Sequence, residues 1–176
     1  PNGAGWHNTN VPLTTNGTDA TSGVAGRYVQ VNGGAWQPSP YTLSVDGLYT
    51  VRGVVQDNAG NQTVTANNSI NLDQTPPTFT VVPDRAPEYG DWYLGPVTVS
   101  VNGSDNLSGY THSTYILYDE SGVPQTGTMP VTISAEGQND LNLNVFDLAG
   151  NHNGGSYPYR IDSSEPTVST SITGTL

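Results

Sequence analysis

Residues 46–61, Asp46-Gly47-Leu48-Tyr49-Thr50-Val51-Arg52-Gly53-Val54-Val55-Gln56-Asp57-Asn58-Ala59-Gly60-Asn61, open on a turn dipeptide, alternate at Tyr49, Val51, Gly53 and Val55, and close on a second turn. A period of two marks a β-strand, whose successive side chains point to opposite faces. The flanks agree with it: Asp and Asn bond their own backbone in turns, and Gly60 tolerates the positive φ such a turn requires. The same grammar recurs downstream. Glu136-Gly137 precedes Leu141, Leu143 and Val145, which alternate with Asn142, Asn144 and Phe146, and Asp147-Leu148-Ala149-Gly150-Asn151 ends the run 90 residues after its counterpart.

Working outward, more of the chain falls into two copies. Trp6 matches Trp92, Val11 matches Val97, and Asn16-Gly17-Thr18-Asp19 with Ser22-Gly23 matches Asn102-Gly103-Ser104-Asp105 with Ser108-Gly109, all at an offset of 86. The drift from 86 to 90 places an insertion in a longer hairpin around Asp119 to Gly127. No apolar 3.6-residue period persists for three turns. Each copy therefore reads as an all-β unit of roughly ninety residues with about seven short strands, the rhythm of an immunoglobulin-like sandwich. The expected organisation is two tandem sandwich domains in an elongated rod. Residues 1–75 form domain 1, lacking its own first strand; residues 76–162 form domain 2; residues 163–176 form an extended strand belonging to the next repeat. The link Asp73 to Pro77 is short and proline-bearing, hence stiff.

Composition narrows the function. Fifteen acidic residues against four arginines and no lysine give a net charge of -11, which disfavours nucleic acid and anionic membranes and attracts cations. The chain has no cysteine, so no disulfide staples it. No stretch approaches the roughly 20 apolar residues of a membrane span, so membrane insertion is not expected. Pro1 begins neither a signal-like segment nor a Met-initiated chain, and a processed or excerpted chain is expected. A weakly charged surface rich in Thr, Ser, Asn and Gly fits an extracellular or cell-surface protein.

Gly5-Trp6-His7-Asn8, Gly33-Gly34-Ala35-Trp36-Gln37-Pro38, Asp46-Gly47-Leu48-Tyr49-Thr50-Val51, Asp57-Asn58-Ala59-Gly60-Asn61 and Asp73-Gln74-Thr75-Pro76-Pro77 together resemble the tandem bacterial immunoglobulin-like repeats of surface adhesins and extracellular stalk or fibre proteins. The resemblance covers nearly the whole chain. It is stronger in the first copy, since the second carries Glu136-Gly137 for the Asp-Gly turn and lacks the Gly-Gly-Ala-Trp hairpin. It implies fold and location more than activity.

Three constellations carry candidate chemistry. In such a sandwich two loops of one end lie beside the entering linker, which gathers Asp73 with Asp105 and Asp147, and Asp162 with Asp19 and Asp57 of a following unit. Three carboxylates and loop carbonyls suit Ca²⁺ at the joints; the alternative is that each Asp only caps its own turn. Trp36 is the candidate sugar-stacking ring, whereas Trp6 and Trp92, at equivalent positions, read as framework packing. Enzymatic chemistry is not expected: His7, His112 and His152 are isolated, and no nucleophile elbow or phosphate-cradling loop is present.

The tail repeats the start of domain 2. Asp162-Ser163-Ser164-Glu165-Pro166-Thr167 parallels Asp73-Gln74-Thr75-Pro76-Pro77-Thr78, and joining Leu176 to Pro1 places Trp6 twenty residues after Asp162, against nineteen from Asp73 to Trp92. Val168, Thr170, Ile172, Gly174 and Leu176 share one face and are the residues expected to insert into domain 1 of the next unit by donor-strand addition. The expected partner is thus a second copy, in a head-to-tail fibre, or the next repeat of a continuous chain. The competing expectation is an adhesin or accessory module that binds carbohydrate or a cell-surface receptor.

Overall fold

A computed structural model describes residues 1–171 and 173. Among these residues the chain is all-β, without a helix. The first repeat contains β1 (Trp6–His7), β2 (Val11–Leu13), β3 (Val24–Val31), β4 (Gln37–Pro38), β5 (Tyr41–Leu43), β6 (Gly47–Asp57), β7 (Gln62–Val64) and β8 (Asn68–Leu72). The second contains β9 (Thr78–Pro83), β10 (Trp92–Tyr93), β11 (Val97–Ser104), β12 (Tyr110–Tyr118), β13 (Gln125–Thr128), β14 (Val131–Ile133), β15 (Gly137–Asp147) and β16 (His152–Ile161). Among the described residues no helix is long and apolar enough to cross a membrane.

In the first repeat the larger sheet runs β1-β8-β6-β3-β4, with β7 also pairing β6, and it faces the two-stranded ladder β2-β5. The alternation read in residues 46–61 is realised in β6, which pairs β3 from Val31↔Val51 to Val24↔Asp57 with one irregularity at Val24/Gly26. Odd-numbered residues of β6 face the core. Val51 packs with Val11, Leu13, Val29, Leu43 and Leu72, and Val31, Tyr49 and Ile70 close over them. Burying each such aliphatic side chain contributes about 1.5–3 kcal/mol.

In the second repeat the larger sheet runs β10-β16-β15-β12-β13 and the smaller β14-β11-β9. Leu141, Leu143 and Val145 of β15 are buried, as are Val97, Val99, Val131, Ile133 and Ile161. The longer hairpin expected around Asp119 to Gly127 is present: β12 and β13 pair from Thr114↔Thr128 to Leu117↔Gln125, against two pairs between β3 and β4.

Each repeat contains a two-residue parallel pairing, Trp6↔Asn71 in one and Trp92↔Arg160 in the other. The two tryptophans share this backbone position but not its burial. Trp6 is 9 % exposed, while Trp92 is 37 % exposed, has Arg160 over its ring, and yields the buried place to Tyr93.

The repeats differ most in their smaller sheets. β11 extends over eight residues between β14 and β9; β2 spans three, pairs β5, and has no partner strand on its other side among the described residues. By chain contacts, one compact unit comprises Pro1–Phe79, Gly103–His112 and Val145–Asn153, and the other Thr80–Asn102, Ser113–Asn144 and the described residues from Gly154 on.

Candidate functional site

The same period of two that builds the core delivers the candidate carboxylates. Along β15 the buried row Leu141, Leu143, Val145 continues to Asp147, and along β11 the row Val97, Val99 continues through Val101 and Gly103 to Asp105. Both rows end at the mouth of the sandwich. Asp73 follows β8 and reaches the same place by donating its N–H to His7 O at 2.9 Å. All three lie in the first compact unit.

There one carboxylate oxygen of each of Asp73, Asp105 and Asp147 lies within 4.8 Å of the others, the one such acidic group among the described residues. Asp73 is fully buried and Asp147 nearly so. Backbone amides hold the cluster in shape. Thr75 N donates to Asp73 Oδ1 and Ser108 N to Asp73 Oδ2; Leu107 N and Gly109 N donate to Asp105 Oδ1; Gly150 N and Asn151 N donate to Asp147 Oδ1. The Asn151 amide joins the parts, donating to Asp147 Oδ2 and to Asp73 O, both at 2.8 Å. Burial pushes the Asp105 carboxyl up, but the amides of Gly109, Leu107, Ser108 and Asn106 outweigh it and leave it below the ordinary carboxylate value.

At an effective dielectric of about 20, unit charges roughly 4.8 Å apart repel by about 3.5 kcal/mol. Among the described residues the ion pairs are Arg85–Glu88 and Arg160–Asp91, so no protein cation offsets this repulsion. A hard divalent cation fits the donor set. Ca²⁺ takes oxygens at about 2.3–2.6 Å, so oxygens on one ion lie no more than about 5 Å apart, as these do.

Asp19 and Asp57 occupy the matching positions of the first repeat. Asp19 Oδ1 accepts from Thr21 N and Ser22 N, and Asp57 accepts from Ala59 N, Asn61 N and the Asn61 amide. They are not gathered with a third carboxylate. Both instead line a cavity of about 310 Å³ with Thr15, Asn16, Gly53, Val55 and Thr65. Asp162 is exposed, yet has the local bonds of Asp73: its N–H donates to Tyr93 O, and its Oδ1 accepts from Ser164 N.

The next residues leave both repeats in one way. Gln74 N and Thr75 Oγ1 bond Asp46, while Ser163 N and Oγ bond Glu136. This seat for the exit was not read from the sequence, where Asp46 and Glu136 registered only as turn residues; their shared offset of 90 residues was the signal.

A second cavity of about 270 Å³ lines up with the first along the continuation of β2, bordered by Leu13, Thr14, Thr15, Val29, Val51 and Gly53. Its apolar walls are core residues, so the space opens into the sandwich beside the unpaired edge. Of the expected inserting residues, Val168 and Thr170 are exposed and Ser163–Ser171 form no strand; Ile172, Gly174 and Leu176 lie outside the described residues. Trp36 is 37 % exposed on the outer face of the larger sheet. His7, His112 and His152 are not brought together as ligands: His7 pairs at β1, and the other two rings flank Phe146, with centroids at 4.9 and 5.7 Å.

No curated protein matches the chain. Among solved structures, the fibronectin(III)-like modules of Clostridium thermocellum CbhA are similar over 94 % of this chain and 93 % of theirs, at 10 % identity and a TM-score of 0.43. A structure from a 1.5-MDa bacterial ice-binding adhesin is similar over 92 % of this chain and 59 % of its own, at 20 % identity and a TM-score of 0.43. Residues 2–74 match the family described as bacterial Ig-like domain. Most of the first repeat is thus similar to the bacterial Ig-like domain family.

Proposed function

We propose that the chain is a non-enzymatic structural repeat unit of an extracellular bacterial surface fibre, in which residues 163–176 of one unit complete the first sandwich of the next. One observation carries this reading: among the described residues β2 stops after three residues with an unpaired edge, while its counterpart β11 runs for eight against β9. An open edge beside a cleft into the core is a site for strand addition, where backbone hydrogen bonds give affinity and alternate side chains give register. The tail fits it by position. Asp162 and Ser163 leave the second repeat with the bonds by which Asp73 and Gln74 leave the first, and Val168 then falls where Phe79 begins the inward row of β9. Supplied by a second copy, this contact is head-to-tail and does not close, so it generates a filament. Supplied by the same polypeptide, it generates a continuous array.

Hydrogen–deuterium exchange on the full chain tests it. A synthetic peptide of residues 163–176 is expected to slow exchange across Val11–Thr18 and leave β11 unaffected; unchanged exchange in Val11–Thr18 rejects strand completion.

The cluster of Asp73, Asp105 and Asp147 is assigned to one Ca²⁺, which fastens the segment after β8 to the two loops that begin at Asp105 and Asp147. The observation favouring it is the burial of Asp73 and Asp147 with no neutralising cationic side chain among the described residues. The same chemistry in the first repeat requires Asp162 of the preceding unit beside Asp19 and Asp57.

A further inference from the structure

The outer face of the larger sheet in the first repeat carries a concavity that neither strand addition nor the acidic cluster uses. The pairings Tyr28↔Val54, Gln30↔Arg52 and Gln56↔Gln62 put these even-numbered residues on the face away from the core. Gly33 and Gly34 turn the chain back after β3, and Trp36 comes to lie against the same face, 37 % exposed. Trp36, Tyr28, Val54, Gln56 and Gln62 enclose a cavity of about 200 Å³. Val54 is only 3 % exposed although it points away from the core, so it forms the floor.

The indole is held in place before any ligand arrives. The Arg52 guanidinium lies 5.4 Å from the ring centroid, and its Nε donates to Gln30 Oε1. Gln30 Nε2 in turn donates to Gly34 O at 2.7 Å, tying this chain of contacts to the turn that presents Trp36. Arg52 borders a separate cavity with Gln30, Gly33, Thr50 and Asn67, which leaves the side of the indole toward Tyr28 and Gln56 open. Prefixing a side chain in this way removes part of the ordering cost of binding.

We infer that this concavity is a binding subsite for one pyranose ring of a neutral glycan, with Trp36 as the stacking platform and Gln56 and Gln62 as the polar rim. Its size is below the roughly 300–1,000 Å³ of pockets for drug-sized ligands, so it admits a single ring and leaves the rest of a chain on the surface. A pyranose presents an apolar C–H face, which an indole face covers, and a rim of hydroxyls that both donate and accept. A side-chain amide likewise does both, and Gln56 and Gln62 stand directly paired at the rim. A proline-rich peptide offers carbonyl acceptors and would leave the amide oxygens unmatched. No charged side chain lines the cavity, and the chain's net charge of -11 repels anionic polysaccharides, so the ligand is neutral. This site goes beyond the structural role and stands or falls separately from it.

The test is nuclear magnetic resonance on the full chain, titrated with a panel of neutral gluco-, xylo-, manno- and chito-oligosaccharides and, in parallel, with a polyproline peptide. Trp6 and Trp92 serve as internal controls. At least one saccharide is expected to move the Trp36 indole N–H and the Gln56 and Gln62 amide signals saturably while leaving Trp6 and Trp92 in place. Trp36→Ala is expected to weaken that binding about tenfold or more, and Gln62→Ala, an exposed change that spares the hairpin, to weaken it severalfold. Absence of a saturable shift with every saccharide up to roughly 10 mM, a shift unaltered in both variants, or a response to the polyproline peptide alone would overturn the inference.

Discussion

Gly53 shows how one missing side chain shapes the open edge. A Cβ there would stand 2.5 Å from Thr15 Oγ1, which donates to Tyr28 O at 2.9 Å while Thr15 N donates to Ser39 Oγ at 2.8 Å. Thr15 therefore has no free direction of retreat. Gly53→Ala is expected to destabilise the first repeat by about 1–3 kcal/mol in denaturant unfolding, with part of the loss recovered in Gly53→Ala/Thr15→Ala; an unchanged midpoint removes the packing argument. Titration adds a second residue-scale consequence. The Asn61 side-chain amide, and against some desolvation the backbone N–H groups of Asn61, Ala59 and Gly60, hold the Asp57 carboxyl below its ordinary value; Asp105 is also held low. A carboxyl depressed by folding adds stability that is present above its unfolded value of about 3.9 and is lost as pH falls through the lower folded value. Melting temperature is expected to fall below about pH 4, less steeply in Asp57→Asn; equal slopes for the two proteins would contradict this. At the alkaline end, burial first, and then the neighbouring Tyr93 and Tyr157, push the Tyr159 hydroxyl up to about 12. Its stabilising contribution is complete below the unfolded value of about 10 and drains away as pH climbs through the folded one, so phenolate absorbance should show Tyr159 titrating late, together with unfolding.

At the scale of elements, the segment from Asp73 to Thr75 and the two loops that begin at Asp105 and Asp147 form one acidic seat, and a divalent ion should stabilise all of it together. At a hundredfold excess over its dissociation constant a ligand adds about 2.7 kcal/mol, which in a chain of this size raises the melting temperature by about 5–10 °C. Ca²⁺ is expected to do so in the full chain, a chelator to reverse it, and Asp105→Asn and Asp147→Asn each to abolish the increment. A shift that survives in both variants would place the ion elsewhere. Much of this seat was legible in the sequence, because in an immunoglobulin-like sandwich the loops that begin at Asp105 and Asp147 lie at one end beside the linker that carries Asp73. The alternation in residues 46–61 likewise marked the row of Tyr49 and Val51 that lies in the core of the first repeat, but not the burial of Val54. What the pattern did not carry is the burial difference between Trp6 and Trp92, since two residues at one backbone position are buried by neighbours distant in sequence: Arg160 covers one side of Trp92 while Tyr93 takes the core. The surroundings of Trp36 were equally hidden. Tyr28, Gln56 and Gln62 meet it only through cross-strand register, which follows from pairing and not from local composition.

For the whole molecule, the proposed strand completion and the proposed ion binding are not independent. A tail that enters the first repeat of a neighbouring unit brings Asp162 beside Asp19 and Asp57, assembling a third carboxylate onto a site that already holds two, between chains that each carry a net charge of -11. Without a counter-ion both the local cluster and the long-range field oppose the contact. A cation bound only in the assembled state must, by linkage, strengthen assembly by the same factor by which assembly strengthens cation binding. Filaments seen by electron microscopy, or growth in sedimentation velocity, are therefore expected to require Ca²⁺ and to revert on chelation to chains of 18.5 kDa. Sodium chloride at matched ionic strength screens the general repulsion but supplies no ligand sphere, and should not substitute. Ile172→Asp places a charge on the face proposed to insert and is expected to abolish assembly at any Ca²⁺ concentration. Asp162→Asn removes one ligand and should shift the Ca²⁺ requirement upward while leaving the strand competent. Filaments that form equally well with chelator present would separate the two ideas and leave strand addition without its ion, whereas chains that stay monomeric under every condition, alongside native material whose denatured mass is far larger, would assign the same contact to successive repeats of one polypeptide.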